Sequence, residues 1–336
     1  MLILGIETSC DETAAAIVRN GREILSNVIY TQIPLHIPFG GVVPELASRN
    51  HVEKITPVVE EAFRQAGVKK EDIGAVAVTS GPGLVGPLIV GVSFAKALSF
   101  GLNVPLIGVH HLDGHIAANY LSFQDLEPPF LALILSGGHS HFYNVKSFGD
   151  YELLGATRDD ALGEAFDKVA RVLGLPYPGG PHLEKMALQG KPVHELPITL
   201  LEDDSLDFSF SGIKSAMKVL SEKVDLETER ANLAASFQET VFSIVTEKIR
   251  RALKRTQEKR IVIAGGVAAN QRLRELLDEL PAEVLYPPLS ICTDNGAMIA
   301  SAGYYSFQQG KCSPLTLNAK ANLSLSSTED LWITCG

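Results

Sequence analysis

A chain of 336 residues with 46% hydrophobic and 20% charged side chains has material for two packed units, and this balance excludes a disordered polymer. Its formal net charge of −10 and isoelectric point near 5.4 exclude a protein that grips nucleic acid by charge alone. The start lacks the basic stretch and cleavage site of an export signal, and no window approaches the roughly 18 apolar residues that span a bilayer, so a cytoplasmic protein with no membrane partner is expected.

In chain order, LILGIE at Leu2 to Glu7 reads as a strand, TSCDET as a polar turn and AAAIV at Ala14 to Val18 as a second strand. Pro44 to Ala66 is predicted helical, because Val52, Ile55, Val58, Val59 and Phe63 recur at helical spacing. AVAVTSGPG, Ala75 to Gly83, reads as a buried strand leaving through a glycine-proline turn; VGVSFAKALSF follows as a helix and PLIGVH as a short strand. ALILSGGHSHFYNV, Ala132 to Val145, repeats the opening plan of strand, small polar turn and strand, which suggests two lobes of related topology. A helix is predicted over Ala231 to Thr256 with Leu233, Phe237, Val241, Val245, Ile249 and Leu253 on one side, and the basic run Lys248 to Arg260 reads as a solvated face. RIVIAGGVAANQRL is a buried strand turning through Gly265 and Gly266 into a helix, and the tail after Lys320 reads as weakly structured. Cys10, Cys292, Cys312 and Cys335 lack the spacing of a zinc or redox motif and read as reduced thiols. Strand-helix alternation with a hairpin opening each half predicts mixed α/β lobes facing across a cleft.

Several positions can carry chemistry. His111 and His115 stand four residues apart, which on a helix puts both imidazoles on one face, able to share a metal. His110 points elsewhere and Asp113 cannot face the same way. A third ligand is offered by Asp294 in CTDNGA, which equally suits the N-cap of the helix NGAMIASAGYYSF. The helical zinc-peptidase motif needs Glu directly after the first His, and Leu112 stands there, which argues against proteolysis. The turn Ser136-Gly137-Gly138-His139 suits an anionic oxygen, although glycine pairs also serve hairpins. Gly265 and Gly266 have packing as their default role, with Asn270 one turn on. In YPGGPHLEKMA, Gly179 and Gly180 make a turn, and Glu184, like Asp167, is able to accept hydrogen bonds from ribose hydroxyls.

Ten segments occur in the order of one known family across Leu2 to Lys320: GIETSCDET, GGVVPELASRNH, SGPGLVGPLIVG, PLIGVHHLDGH, LSGGHS, DDALGEAFDKVAR, YPGGPHLEKMA, DFSFSGIKSA, AGGVAAN and CTDNGAMIA. The sequence resembles the bacterial TsaD family, whose archaeal and eukaryotic relatives are the Kae-type proteins. The resemblance implies the two-lobed actin, sugar-kinase and Hsp70-like α/β fold, with nucleotide and metal in the interlobe cleft. Residues 1–125, joined by a C-terminal helix at about 294–320, would form one lobe, 126–293 the other, and 321–336 a tail. It implies His111, His115 and Asp294 as ligands of one divalent metal, iron or zinc. Ile134, Leu135, Ser136, Gly137, Gly138, Asp167, Gly180, Glu184 and Asn270 are implied as substrate and nucleotide contacts, and Asp11 as a carboxylate essential to the reaction. The implied reaction moves a threonylcarbamoyl group from threonylcarbamoyl-AMP, an adenine nucleotide donor, to N6 of adenosine 37 in tRNAs reading ANN codons, releasing AMP. Implied partners are tRNA, a TsaB-like paralogue and a TsaE-like P-loop ATPase. The rival readings are a peptidase, a small-molecule kinase and a non-catalytic scaffold. The last two leave the His pair with Asp294 unexplained.

Overall fold

LILGIE is apolar at nearly every position, the pattern of a strand covered on both faces. Leu2–Glu7 forms β1 at the centre of a five-stranded sheet. The computed structural model describes residues 1–200, 204–325, 328 and 331–335. It divides into unit 1, Met1–Pro128 with Lys146–Tyr151 and Pro287–Gly336, and unit 2, Pro129–Val145 with Glu152–Tyr286.

In unit 1, β2 (Glu12–Arg19) pairs antiparallel with β1, and β3 (Glu23–Thr31) with β2. A short α1 (Ile33–His36) precedes α2 (Pro44–Ala66), which has proline in its first turn and ends at Gly67 with a left-handed φ of 65°. Ile55, Val58, Val59, Ala62 and Phe63 of α2 join the core cluster with Leu4, Ile6 and Ile17. Val52, expected on that face, is 63% exposed. The inward position falls to His51, fully buried, with Nδ1 bonded to Thr13 Oγ1 at 2.8 Å and Nε2 to the Cys10 carbonyl at 2.9 Å. β4 (Ile73–Gly81), α3 (Val85–Leu102), β5 (Leu106–His110) and α4 (His111–Ser122) follow. The sheet order is β3-β2-β1-β4-β5, with β1, β4 and β5 parallel. Contrary to the sequence expectation, α3 is long and apolar enough to cross a bilayer. Leu88, Val92 and Ala95 are buried, as they are in a core helix of a globular unit.

Unit 2 carries β6 (Phe130–Leu135) and most of β7 (Ser140–Ser147) and β8 (Asp150–Ala156), then α5 (Leu162–Val172), α6 (Gly179–Ala187), α7 (Ser211–Ser221), α8 (Leu226–Thr256), β9 (Arg260–Ala264), α9 (Gln271–Leu277) and β10 (Glu283–Leu285). The order β10-β9-β6-β7-β8, with β6 antiparallel to β7 and parallel to β9, repeats the plan of the first sheet. The repeat read at Leu2 and Ala132 is therefore a repeat of whole-sheet topology. α8 begins five residues before its predicted start, N-capped by Asp225, whose carboxylate accepts from Glu227 N at 3.0 Å. Phe237 and Phe242 of α8 pack on Phe166 of α5, with ring centroids 5.1 and 5.6 Å apart. Lys248 departs from the solvated-face expectation. It is fully buried, with its ammonium donating to the carbonyls of Leu200 and Ser205.

Asp160 ties α5 to α7 through Lys168 at 2.9 Å and Lys214 at 2.5 Å. Burial alone would raise its pKa, but the two lysines outweigh burial and hold the carboxyl below its ordinary 3.8. With the folded value depressed, the pair stabilises the fold above pH 3.8, and that contribution is lost as pH falls through the folded value. Asp160→Asn is expected to lower stability by about 1–3 kcal/mol at neutral pH and to converge on wild type in acid, as denaturant titrations across pH will show.

The chain returns to unit 1 with α10 (Leu289–Cys292), α11 (Gly296–Gln308), β11 (Lys311–Cys312) and β12 (Ile333–Thr334). α11 lies backbone against backbone on β1 and β2. A Cβ built on Gly5 would sit 2.2 Å from Gly296 O, and one on Gly296 would sit 2.5 Å from Ala16 N. The described residues of the tail hold more structure than its composition suggests. Leu331 is buried, its carbonyl accepts from Ser313 Oγ at 2.7 Å, and β12 pairs antiparallel with β11. Cys312 and Cys335 form a disulfide across 23 residues, which corrects the reading of four reduced thiols; Cys10 and Cys292 are thiols outside any disulfide. Loop-closure entropy predicts that Cys335→Ser, or reduction, costs about 3 kcal/mol, measurable as a lower urea midpoint that reductant no longer changes in the variant.

Candidate functional site

The parallel strands β1, β4 and β5 all end on one edge of the unit 1 sheet, at Glu7, Gly81 and His110, and the carboxyl ends of such strands are where α/β sheets place ligands. His110 accepts from Leu112 N at 3.1 Å through its side chain and so starts α4. With the helix fixed at that point, His111 and His115 lie one turn apart on one face, both buried, with ring centroids 4.7 Å apart. Asp294 arrives from the other end of the chain. The N-cap of α11 is Asn295, whose Oδ1 accepts from Met298 N at 3.0 Å, so Asp294 is not the cap and faces the imidazoles. Its Oδ1 stands 3.3 Å from His115 Nε2 and 3.6 Å from His111 Nε2, and one donor atom from each of the three lies within 4.8 Å of the others.

Two observations test whether this set suits a cation. Both ring nitrogens of His115 are buried with no hydrogen-bond partner, a costly arrangement for an imidazole unless Nε2 is a ligand. Two imidazoles and a carboxylate also form the donor set of iron and zinc centres. The residues fit.

Glu7 is the residue beside this cluster that sequence reasoning missed. It is fully buried and accepts from Ser9 N and from Thr79 Oγ1, each at 2.5 Å. With Nδ1 carrying the proton, His111 donates to Glu7 Oε2 at 3.2 Å; Ser9 Oγ is 3.3 Å from the same nitrogen. Burial pushes the Glu7 carboxyl up, but His111 and Thr79 outweigh it and hold it below the ordinary range. Burial also opposes charge on His111, yet Asp294 and Glu7 raise its pKa to about 9. The signal available in the sequence was a lone carboxylate closing an otherwise apolar strand. Asp113, in contrast, accepts from Tyr151 and stays outside the donor set.

Asp11 is buried in the neighbouring turn. Beside it burial, then Asp11 and Asp294, push the Glu12 carboxyl up to about 10, and Glu12 Oε1 accepts from Thr31 Oγ1 at 3.2 Å.

The remaining sequence candidates lie in unit 2, at the carboxyl ends of parallel β6 and β9. Ile134 and Leu135 are the buried end of β6. Ser136 N donates to His139 O at 2.8 Å, and Gly163 N to Ser136 O at 3.1 Å, which sets the turn beside the start of α5. A Cβ on Gly137, Gly138 or Gly180 would meet nothing within 4 Å, and none of the three has a left-handed φ, so neither packing nor backbone conformation demands glycine there. Gly265 differs. At φ 88° it lies against Leu135, where a Cβ would come within 2.5 Å of the carbonyl oxygen, so its role is packing. Asp167 Oδ1 accepts from Gly179 N at 2.7 Å and Glu184 Oε1 from Gln271 N at 2.7 Å. Asn270 caps α9 through Leu273 N at 3.1 Å and donates to Gln238 Oε1 at 2.9 Å. These bonds tie α5 to the start of α6, and α6 to the start of α9.

Three solved structures share the architecture over 92% of this chain: HypF from T. kodakarensis (TM-score 0.65, 14% identity, 48% of that chain), component A of the Acidaminococcus fermentans (R)-2-hydroxyglutaryl-CoA dehydratase (0.56, 17%, 98%) and the ROK hexokinase of Thermus thermophilus (0.51, 15%, 99%). At these identities the likeness shows the fold, the actin, sugar-kinase and Hsp70 type. Sequence likeness is far closer elsewhere. The tRNA N6-adenosine threonylcarbamoyltransferase of Geobacillus kaustophilus is 54% identical over 335 residues, 96% of each chain. That of Clostridium perfringens is 52% identical over 332 residues, 96% of this chain and 98% of its own. The TsaD family pattern, described as tRNA N6-adenosine threonylcarbamoyltransferase, matches residues 23–301, and with the His-His-Asp centre in place this chain belongs to that family of tRNA-modifying transferases.

Proposed function

We propose that this transferase works around one divalent metal, iron or zinc, held by His111, His115 and Asp294, with threonylcarbamoyl-AMP as donor and adenosine 37 of tRNAs reading ANN codons as acceptor. The observation that carries this reading is the convergence of three donor atoms within 4.8 Å, one of them on an imidazole with no other partner.

The adenine N6 amine is a weak nucleophile because its lone pair is delocalised into the ring. The N6–C bond therefore forms only against an activated carbonyl, as the bond from that carbon to the phosphate oxygen breaks and AMP departs. A bound metal supplies Lewis-acid polarisation and a template for the donor. Asp11 orients the amine or takes the proton it sheds. For the AMP portion, the open turn at Ser136, Gly137 and Gly138 gives a phosphate access to backbone N–H groups, and Gly180 leaves room for the sugar. Asp167, Glu184 and Asn270, locked by their bonds to backbone, present fixed polar groups to a nucleoside. The acceptor base reaches the donor more easily from an unstacked anticodon loop than from a duplex.

The chain is acidic, so helpers are expected to share the grip on tRNA. An exposed apolar face on α3, with Val85 at 53%, Ile89 at 48% and Phe100 at 74% exposure, suits docking of a TsaB-like paralogue. A TsaE-like ATPase completes the set, in the cytoplasm where tRNA resides.

The test combines purified protein, these helpers, donor and unmodified tRNA, followed by mass spectrometry of digested nucleosides. Threonylcarbamoyladenosine appears only with the intact chain. Asp11→Asn is expected to reduce turnover about 100-fold or more with donor affinity unchanged; wild-type turnover would remove Asp11 from the reaction. Peptide cleavage or ATP consumption on a small molecule, without modified base, would overturn the reading.

A further inference from the structure

We infer that Glu7 is the positioning residue of the metal centre: through His111 Nδ1 it fixes which nitrogen faces the cation, and it supplies the second negative charge that a buried divalent site requires. The inference rests on the His111, His115 and Asp294 reading above and deepens it.

Three independent features converge on this carboxylate. Its position is over-determined, since Ser9 N, in the turn after β1, holds Oε1, and Thr79 Oγ1, on β4, holds Oε2. A carboxylate with no exposure is costly unless it is hydrogen-bonded and faces a cation, and beyond Ser9 N and Thr79 its remaining partner is His111 Nδ1 at 3.2 Å, whose far side faces the proposed cation. The third feature is the asymmetry of the two histidines. His115 Nδ1 has no partner, whereas His111 Nδ1 faces both Glu7 and Ser9. A bond at Nδ1 commits the ring to the tautomer whose Nε2 lone pair points towards Asp294, and carboxylate–imidazole pairs behind a metal also raise ligand basicity. Charge counting agrees. Two neutral imidazoles with Asp294 leave a divalent cation one positive charge in excess, and Glu7 brings the set to neutrality without itself being a ligand.

Zinc affinity, measured by competition with a chromophoric chelator, decides the matter. The full-length chain is expected to bind one zinc, and Glu7→Gln, isosteric but uncharged, to bind it 10- to 100-fold more weakly. Cobalt(II) in the same variant should show a shifted visible spectrum. Transferase activity of the variant should be lost at limiting zinc and recovered when zinc is raised in proportion, which a merely structural defect would not allow. Thr79→Val, which removes one of the two donors to Glu7 and leaves every ligand in place, is expected to weaken zinc binding severalfold and decides the question if Glu7→Gln does not fold. Affinity within twofold of wild type in the folded variant overturns the role of Glu7. A wild-type chain that binds no zinc, cobalt or iron overturns the metal reading itself.

Discussion

Replacing His115 with alanine is expected to abolish stoichiometric metal binding and to lower formation of threonylcarbamoyladenosine about a thousandfold, with the fold retained. The imidazole is buried and its polar neighbour is Asp294, 3.3 Å from Nε2, so its removal leaves a small cavity inside unit 1 and strands no group outside the proposed donor set. What it removes is one of three donors, and the remaining His111 and Asp294 form too sparse a set to hold a labile cation in place. Loss of Lewis-acid stabilisation worth several kcal/mol gives the stated factor. His110→Ala is the contrasting variant. That side chain serves Leu112 N and the Leu323 carbonyl, not the donor set, so metal content should persist even if α4 loosens. Metal analysis and nucleoside mass spectrometry on both variants separate the two roles. Full turnover by a metal-free His115→Ala protein would show that the centre is structural.

Gly5→Ala should be strongly destabilising, costing more than about 3 kcal/mol. The added carbon would come within 2.2 Å of Gly296 O and 2.4 Å of Ala300 N, both backbone atoms of α11, which no side-chain rotation can relieve. The helix must retreat or the strand must bend, in a protein whose whole stability is about 5–15 kcal/mol. Because Asp294 immediately precedes α11, a displacement of about an ångström also takes it out of reach of the imidazoles. The variant should therefore show a reduced melting temperature and weakened zinc binding together. A melting curve and zinc affinity equal to wild type would mean that β1 and α11 do not approach as described.

The histidine pair was readable because four-residue spacing on a helix fixes shared facing from sequence alone, and an apolar run such as LILGIE announces a covered strand. The repeated sheet was readable for the same reason, since the strand-turn-strand plan occurs twice. Other features depended on distant partners. Asp294 and Asn295 are adjacent and both suit an N-cap; which of them caps is settled by how α11 seats on Gly5, not by local preference. Val52 fits the helical stripe of α2 as well as His51 does, and His51 turns inward because Thr13 and the Cys10 carbonyl offer it bonds across the sheet. Lys248 sits in a basic run but meets two carbonyls from a segment over forty residues earlier. The Cys312–Cys335 link has a spacing that signals nothing until β11 and β12 pair. Glu7 became visible only when β4 and α4 brought Thr79 and His111 to it.

The placement of α11 has a consequence for synthesis. Its seat on β1 and β2, and the carboxylate of Asp294 proposed as the third metal donor, are translated after all of unit 2. At about 5–20 residues per second, the ribosome needs roughly ten to forty seconds to go from His115 to Asp294. Through that interval the nascent first unit has its two imidazoles but not its third donor, and the sheet face that α11 will cover lies open. If these three residues hold the proposed cation, its full donor set exists only late in synthesis, and a truncated message that stops before Pro287 yields a chain without the third donor however well its first sheet has formed.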